Sequence, residues 1–481
     1  MKIAIYDIES TGAITEWSSI IEIGGVLIDE NFNEIDRFNL RGRIPEGEIP
    51  QAKAVLINGS TIEQLTKSNL SNYMLLDQVE KIFTKWSKKW SPVCFMGYSN
   101  INFDCEMVRK SFFRNLRYPY ITNASPSKRH DALNIVRAAY GVDPKILKTE
   151  LNEKGNVSMK LESLSRLQGF DVSGAHQAQF DAINTYKILK VIKEKIKPDL
   201  WSQILRTYSK ADTETIFLKE QMITLVEYYY GKNKFHLCAP LHPKYCIHPV
   251  YKWGQAIDLK SDPVPLFNMS INELKVEMKK SPKFLRTIRS NKAPVILDAE
   301  EGIKHEPYKA IPLDLLKKRA ELIRGNEKFS QNILTALREN AEEKEQSKSQ
   351  EDIYAEESIY KKFTSNKDTA LFPAWHSAPW KDRLKLLDKF EDDRMKAFGT
   401  KIIYQEAPDI LPKDIFNSVK RGIAKRILSK NKERWWTVYM CYSEIDTLRV
   451  DAENKNDVQT LKTLDSVNNY VMSVQQKYEN A

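Results

Sequence analysis

Two acidic residues close the apolar run that opens the chain: Asp7 and Glu9, in Ile3-Ala4-Ile5-Tyr6-Asp7-Ile8-Glu9, ahead of Ser10-Thr11-Gly12. The run reads as a buried strand. Side chains alternate along a strand, so both carboxylates face one way, about 7 Å apart. They repel each other unless a cation lies between them, and hard divalent ions such as Mg²⁺ take carboxylate oxygens. Solvated residues at a strand end would look the same. A third acid, Asp104, stands at the start of a helical stretch, where N-capping alone would account for it. His176 sits at or just before the first turn of a late helix and Asp181 lies within it. An imidazole titrates near neutral pH and suits acid–base work. Singly, an exposed loop histidine and a solvated helix acid explain the pair.

The elements that must position these groups follow from patterning. Strands are expected at 20–29 and 35–40, joined by a turn at 30–33 into an antiparallel meander with the first strand. A helix is expected over 61–88 after the Asn58-Gly59-Ser60 start signal. A buried strand at 92–98 then leads to Asp104 and an amphipathic helix over 105–115. The late helix, with apolar positions at Phe180, Ile183, Leu189, Ile192 and Ile196, runs to the Lys197-Pro198 stop. Strands alternating with helices predict an α/β sheet with helices packed on it.

With 481 residues the chain is long enough for two or three domains. Composition is that of an ordinary soluble protein, 42% hydrophobic and 29% charged. A net charge of +10 permits a polyanionic partner without requiring one. The five scattered cysteines suggest no disulfide framework and fit a reducing, cytoplasmic setting. Asp7 and Glu9 interrupt any signal-peptide core, and no membrane-spanning run is present in the sequence.

A D-x-E on the first strand, an Asp after a later strand and H-x₄-D on a late helix, in that order, form the pattern of the DEDDh 3′–5′ exonucleases. The chemistry explains the residue types: two metals roughly 3.5–4 Å apart activate water and stabilise a leaving 3′-oxygen, and His176 would take the proton. Surrounding sequence narrows the resemblance. Gly97-Tyr98-Ser99-Asn100-Ile101-Asn102-Phe103-Asp104, Phe112-Phe113-Arg114-Asn115, Pro119-Tyr120, Asp131-Ala132-Leu133-Asn134-Ile135-Val136-Arg137-Ala138-Ala139-Tyr140 and Met159-Lys160-Leu161-Glu162-Ser163-Leu164 closely resemble the bacterial exodeoxyribonuclease I family. So do Ala239-Pro240-Leu241-His242-Pro243, Ala293-Pro294-Val295-Ile296-Leu297 and the Phe390, Arg394, Phe398 spacing, with similarity fading after about residue 400.

The resemblance implies an RNase H-like DEDDh exonuclease domain at 1–198, an SH3-like α+β domain at 199–345, a linker at 346–358 and a C-terminal helical domain at 359–481. It implies two Mg²⁺ ions, with Mn²⁺ as a substitute. Asp7, Glu9 and Asp181 would bind one ion, Asp7 with Asp104 through water the other, and His176 would be the general base. Glu9, Thr11, Gly12, Arg109, Tyr120, Arg137 and Lys160 would meet substrate. Lys160 stands where the family usually has Arg and loses the bidentate fork. At 123–130, small and basic residues replace a tryptophan-bearing loop, which weakens base stacking there but still tracks phosphates. Single-stranded DNA and the acidic tail of the single-stranded DNA-binding protein are the implied partners, the chain acting as a monomer in DNA repair or recombination. A silent nuclease fold that only binds strands, a DEDDh exoribonuclease and a proofreading nuclease are the alternatives.

Later segments say less. Strand-like stretches are expected at 235–239 and 255–258. His236, Cys238, His242, Cys246 and His248 invite zinc, but their spacing fits no ribbon or finger. Residues 275–292 interleave basic and apolar side chains, as a DNA-facing patch or a solvated helix face would. Residues 341–358 read as a fraying helix end and linker. Helices are clearest at 380–397 and 412–428, with Trp375, Trp380, Trp435 and Trp436 read as core.

Overall fold

A computed structural model describes residues 1–347 and 353–480, so part of the linker expected at 346–358 lies outside the described residues. Its first sheet has the order β3-β2-β1-β4-β5, formed by β1 Lys2–Ser10, β2 Ile20–Ile28, β3 Glu34–Arg41, β4 Val93–Met96 and β5 Lys128–Arg129. The pairs β1/β2 and β2/β3 are antiparallel, as the meander predicted, while β4 and β5 join in parallel. Ile3, Ala4, Ile5, Tyr6 and Ile8 of β1 are all buried, which is why the strand reads as a continuous apolar run.

Helices α1 Ala52–Asn58, α2 Ile62–Lys67 and α3 Asn72–Lys89 precede β4. The single helix expected over 61–88 is therefore two. Ser71 breaks it, because its side chain accepts from the Met74 amide and starts a new helix. Next come α4 Asp104–Arg114, α5 Ala132–Val142, α6 Leu161–Leu167 and α7 Ala178–Lys195. The N-cap reading of Asp104 is corrected: Phe103 is the flanking residue, no side chain caps α4, and Asp104 is its first helical residue.

The second sheet, of order β10-β6-β7-β8-β9, is antiparallel throughout: β6 Ile223–Tyr229, β7 Lys232–Pro240, β8 Gly254–Asp258, β9 Leu285–Ile288 and β10 Val295–Asp298. Phe235, Val295 and Leu297 from this sheet join α5 and α7 residues in one apolar cluster, so the two sheets share a core. Cys238 and Cys246 are buried in a separate cluster of the second sheet, without disulfides. The His248 imidazole accepts from the Val250 and Tyr251 amides, and no zinc cluster forms among the described residues. Residues 275–292 are not one helix face. Lys275 lies in the last turn of a short helix, Ile271–Glu277, and pairs with Glu339 and Glu343, while Arg286 on β9 pairs with Asp258.

Helices complete the chain. The stretch expected at 380–397 divides into Trp380–Leu387 and Asp393–Glu406, and that expected at 412–428 spans Lys413–Ile427. Of the four tryptophans read as core, Trp375 and Trp435 are buried, whereas Trp380 and Trp436 are half-buried against the edges of their clusters. Among the described residues, no helix is long and apolar enough to cross a membrane.

Candidate active site

The first strand delivers two of the acids and α7 the third. Oxygens of Asp7, Glu9 and Asp181 all lie within 4.8 Å of one another, the one such potential metal-holding group among the described residues. What brings α7 so close is a glycine. Gly24 on β2 pairs directly with Asp7, and a Cβ there would lie 2.2 Å from the Gln179 amide nitrogen and 2.3 Å from its Cα. The first turn of α7 rests on bare backbone, and Asp181 drops beside β1.

The carboxylates crowd one another electrostatically. Glu9 is pushed up to about 9, by burial first and then by Asp7, Asp181 and Glu22, with Arg41 opposing. Burial pushes Asp181 up to about 6. Burial also raises Asp7, followed by the charges of Asp104, Asp181 and Glu22. Glu22, buried in the middle of β2 opposite Glu9 and paired with Arg41, is a fourth nearby acid that patterning did not single out. Such a cluster of oxygen donors fits a hard divalent cation, whose charge would relieve the repulsion.

The shifts carry a sign. Their folded values lie above the ordinary carboxylate range, so between roughly pH 5 and pH 9 the folded protein holds protons that the unfolded chain has released, and stability falls as pH rises through that window. In chelator the melting temperature is expected to decline toward pH 9, and Mg²⁺ should raise it more at high pH than at low. A Mg²⁺ response independent of pH would contradict the assignment.

Asp104 stands outside the trio yet within its field: its charge is the largest single ionic influence on Asp7. It is 6% exposed, accepts a 3.3 Å hydrogen bond from the Asn100 amide, and is raised by burial first, then by Cys105 and Asp131. His176 precedes α7 in a left-handed conformation (φ 65°), uncommon for a residue with a Cβ. Its amide donates to Asp181 Oδ2 at 3.1 Å, which fixes the turn and leaves the imidazole exposed.

A cleft of about 550 Å³ opens beside this cluster and gathers His176, Asp181, Arg137 and Lys160 with Tyr98 and Tyr228. Arg137 has no hydrogen-bond partner among the described residues; its guanidinium sits 4.2 Å from the centre of the Tyr228 ring, contributed by β6 of the second sheet. Lys160 is exposed at the start of α6. Arg109, on α4, bonds Glu106, Asn123 and Tyr360 and lies 5.3 Å from the Tyr120 ring. Thr11 is buried, its hydroxyl donating to Glu48 and its amide to the Ser19 carbonyl, so it braces the turn after β1. Gly12 is packed against Gln51.

Residues 4–189 match the model of the family described as Exonuclease. Over that stretch the chain is similar to exonuclease domains. Similarity extends well past it. The chain is 28% identical over 352 residues to Exodeoxyribonuclease I of Buchnera aphidicola subsp. Acyrthosiphon pisum, covering 70% of this chain and 81% of the relative. Its fold matches E. coli Exonuclease I in complex with a dT13 oligonucleotide, with a TM-score of 0.79 at 20% identity, over 98% and 99% of the two chains. The ExoI/SSB-Ct complex matches with a TM-score of 0.78 at 18% identity, over the same shares. Asp7, Glu9, Asp104, His176 and Asp181 all fall within the matched residues 4–189, and a further sheet and helices follow them.

Proposed function

We propose that this chain is a 3′–5′ exodeoxyribonuclease that degrades single-stranded DNA to 5′-mononucleotides and uses a divalent metal. The observation that carries the reading is the convergence of Asp7, Glu9 and Asp181 within 4.8 Å, on a fold shared with exonuclease I. Asp7, Glu9 and Asp181 would hold one Mg²⁺, and Asp7 with Asp104 a second. Bound ions supply charge stabilisation at the leaving 3′-oxygen and acidify water. The remaining work falls to side chains of this chain. His176 takes the proton from the attacking water, its ring free because only its backbone is engaged by Asp181. Arg137 and Lys160 face the same cleft and bind phosphates, and Arg109 with Tyr120 guides the strand. Five free, buried cysteines suit a cytoplasmic setting. The acidic tail of a single-stranded DNA-binding protein is the partner that likeness to the ExoI/SSB-Ct complex suggests. We place domain divisions near 198, 345 and 358 as part of the same reading.

The test is digestion of end-labelled single-stranded DNA with Mg²⁺ or chelator, beside RNA and duplex. Metal-dependent release of mononucleotides from the DNA 3′ end is expected. Tight binding without digestion would move the function to recruitment.

Two variants probe single roles. His176→Ala should lower kcat by about 10²-fold or more, the ordinary contribution of a positioned base. Tyr228→Leu removes the ring under Arg137 and should raise KM by about 3–30-fold with kcat little changed, as expected for a cation–π contact of 0.5–2 kcal/mol. Tyr228→Phe keeps the ring and should rescue binding. An unaltered KM in the leucine variant would show that Arg137 needs no support from the second sheet.

A further inference from the structure

We infer that Tyr230, at the tip of the β6–β7 hairpin, forms a separate subsite that stacks on a base of the bound single strand. The inference rests on the strand-degrading reading above and adds to it a contact from the second sheet, outside the acidic cluster.

The hairpin joins its strands through two residues, Tyr230 and Gly231, because Tyr229 and Lys232 are the last pair of the ladder. Both central residues are left-handed, Tyr230 at φ 52° and Gly231 at φ 73°. So tight a turn favours Asn-Gly or Asp-Gly, since few side chains tolerate that backbone. The glycine has a clear reason. A Cβ at Gly231 would lie 2.2 Å from Cγ of Asn156, so the turn sits directly on that side chain. Behind it, Asn233 packs on Gly141 of α5, where a Cβ would come within 2.9 Å of the Asn233 amide group. Tyr228 donates a 3.4 Å hydrogen bond to the Val157 carbonyl and holds Arg137 against its ring. Val157, Tyr228 and Arg137 line the cleft that contains His176 and Asp181. The hairpin tip is thereby fixed at the rim of that cleft.

Packing gives no such reason for Tyr230. It is 92% exposed, more than any other large hydrophobic side chain among the described residues. Its ring meets Tyr229 edge to face, 6.0 Å away at 90°. A left-handed backbone is unfavourable for an aromatic residue, and here no burial offsets the cost. Strain that persists without a packing return points to function. The flanking chemistry names the ligand. Lys232 and Lys234 are exposed on the strand that follows, and Arg137 and Lys160 lie in the adjoining cleft. A basic surface with an aromatic ring projecting from it tracks phosphates and stacks bases of a single strand. Any base offers a π-face, so the contact tolerates different sequences. Because the tip is seated on Asn156 and α5, its backbone has little freedom left to lose on binding.

The test is equilibrium binding of a labelled oligothymidylate to the full chain, in chelator so that no hydrolysis intervenes. Tyr230→Asn puts into the turn a residue that suits its backbone. It should raise the melting temperature slightly and yet weaken strand binding about 5–100-fold, the loss expected from one aromatic–base stack. Tyr230→Phe keeps the ring and should bind as the wild type does. Oligonucleotides carrying one abasic site at successive positions then locate the contact. One position should weaken binding by the wild type and leave Tyr230→Asn unaffected, which a general disturbance of the hairpin would not produce. Equal affinity of Tyr230→Asn and wild type, or abasic losses that are the same in both, overturns the inference. So does a lower melting temperature in Tyr230→Asn, which would show the turn to be unstrained. Absence of strand binding by the wild type is a separate result: it would overturn the single-stranded DNA reading itself, and this contact with it.

Discussion

Replacing Asp181 by alanine is expected to abolish hydrolysis, by about 10³-fold or more, while a labelled single strand still binds. The size follows from what one carboxylate does twice. It is the only member of the Asp7, Glu9, Asp181 trio that does not come from β1, so without it a cation would face one strand only. It also accepts the His176 amide at 3.1 Å, which holds the left-handed turn carrying the proposed general base. Loss of a single electrostatic contact in an active site costs about 10²–10³, and here two functions go together. Binding persists because Arg137, Lys160 and Arg109 are untouched. Nucleotide release and equilibrium binding, measured side by side, decide it; hydrolysis that survived would remove Asp181 from the metal set.

Gly24→Ala should be nearly as damaging although the residue touches no substrate. The added methyl would lie 2.2 Å from the Gln179 nitrogen and 2.3 Å from its Cα, which are backbone atoms with no rotamer to turn aside. Helix α7 must therefore lift by more than an ångström. That carries Asp181 away from Asp7 and moves His176 with it. A misplacement of about 1 Å can cost 10²-fold in rate, and two groups shift at once, so a loss of about 10³-fold is expected. Overpacking should also cost about 1–3 kcal/mol in stability. Activity, metal-induced stabilisation and thermal unfolding of the variant are the measurements. Wild-type activity would mean that α7 accommodates the methyl without moving Asp181.

Much of this site was legible in sequence because its acids sit at the ends of strongly patterned elements. Asp7-x-Glu9 is legible since a buried strand makes a continuous apolar run, and two charges at its end are conspicuous. His176 and Asp181 were placed because the apolar stripe of α7 is regular. Asp104 was harder: as the first residue of α4 it looks like a cap, and only its burial and the Asn100 hydrogen bond show otherwise. Gly24 gave a signal, a glycine pair within an apolar strand, but its meaning depends on a helix more than a hundred residues later. Tyr228 was invisible for the same reason, since its contact with Arg137 joins β6 of the second sheet to helix α5. Thr11 was expected beside the terminal nucleotide; the structure spends its hydroxyl on Glu48, which no local pattern announces. Local periodicity reports elements, and contacts between distant elements leave almost no trace in it.

The joining of β1 to α7 also has a bearing on how the domain holds together. Almost the whole exonuclease domain lies, in sequence, between Asp7 and Asp181, so an ion shared by them would act as a clasp across a very long loop. Closing such a loop removes chain entropy that grows only slowly with length, and the first strand and last helix would be tied with one bond set. Under divalent-ion starvation the clasp would be open, and the seam between β1 and α7 would be the place where proteases or unfolding gain entry first.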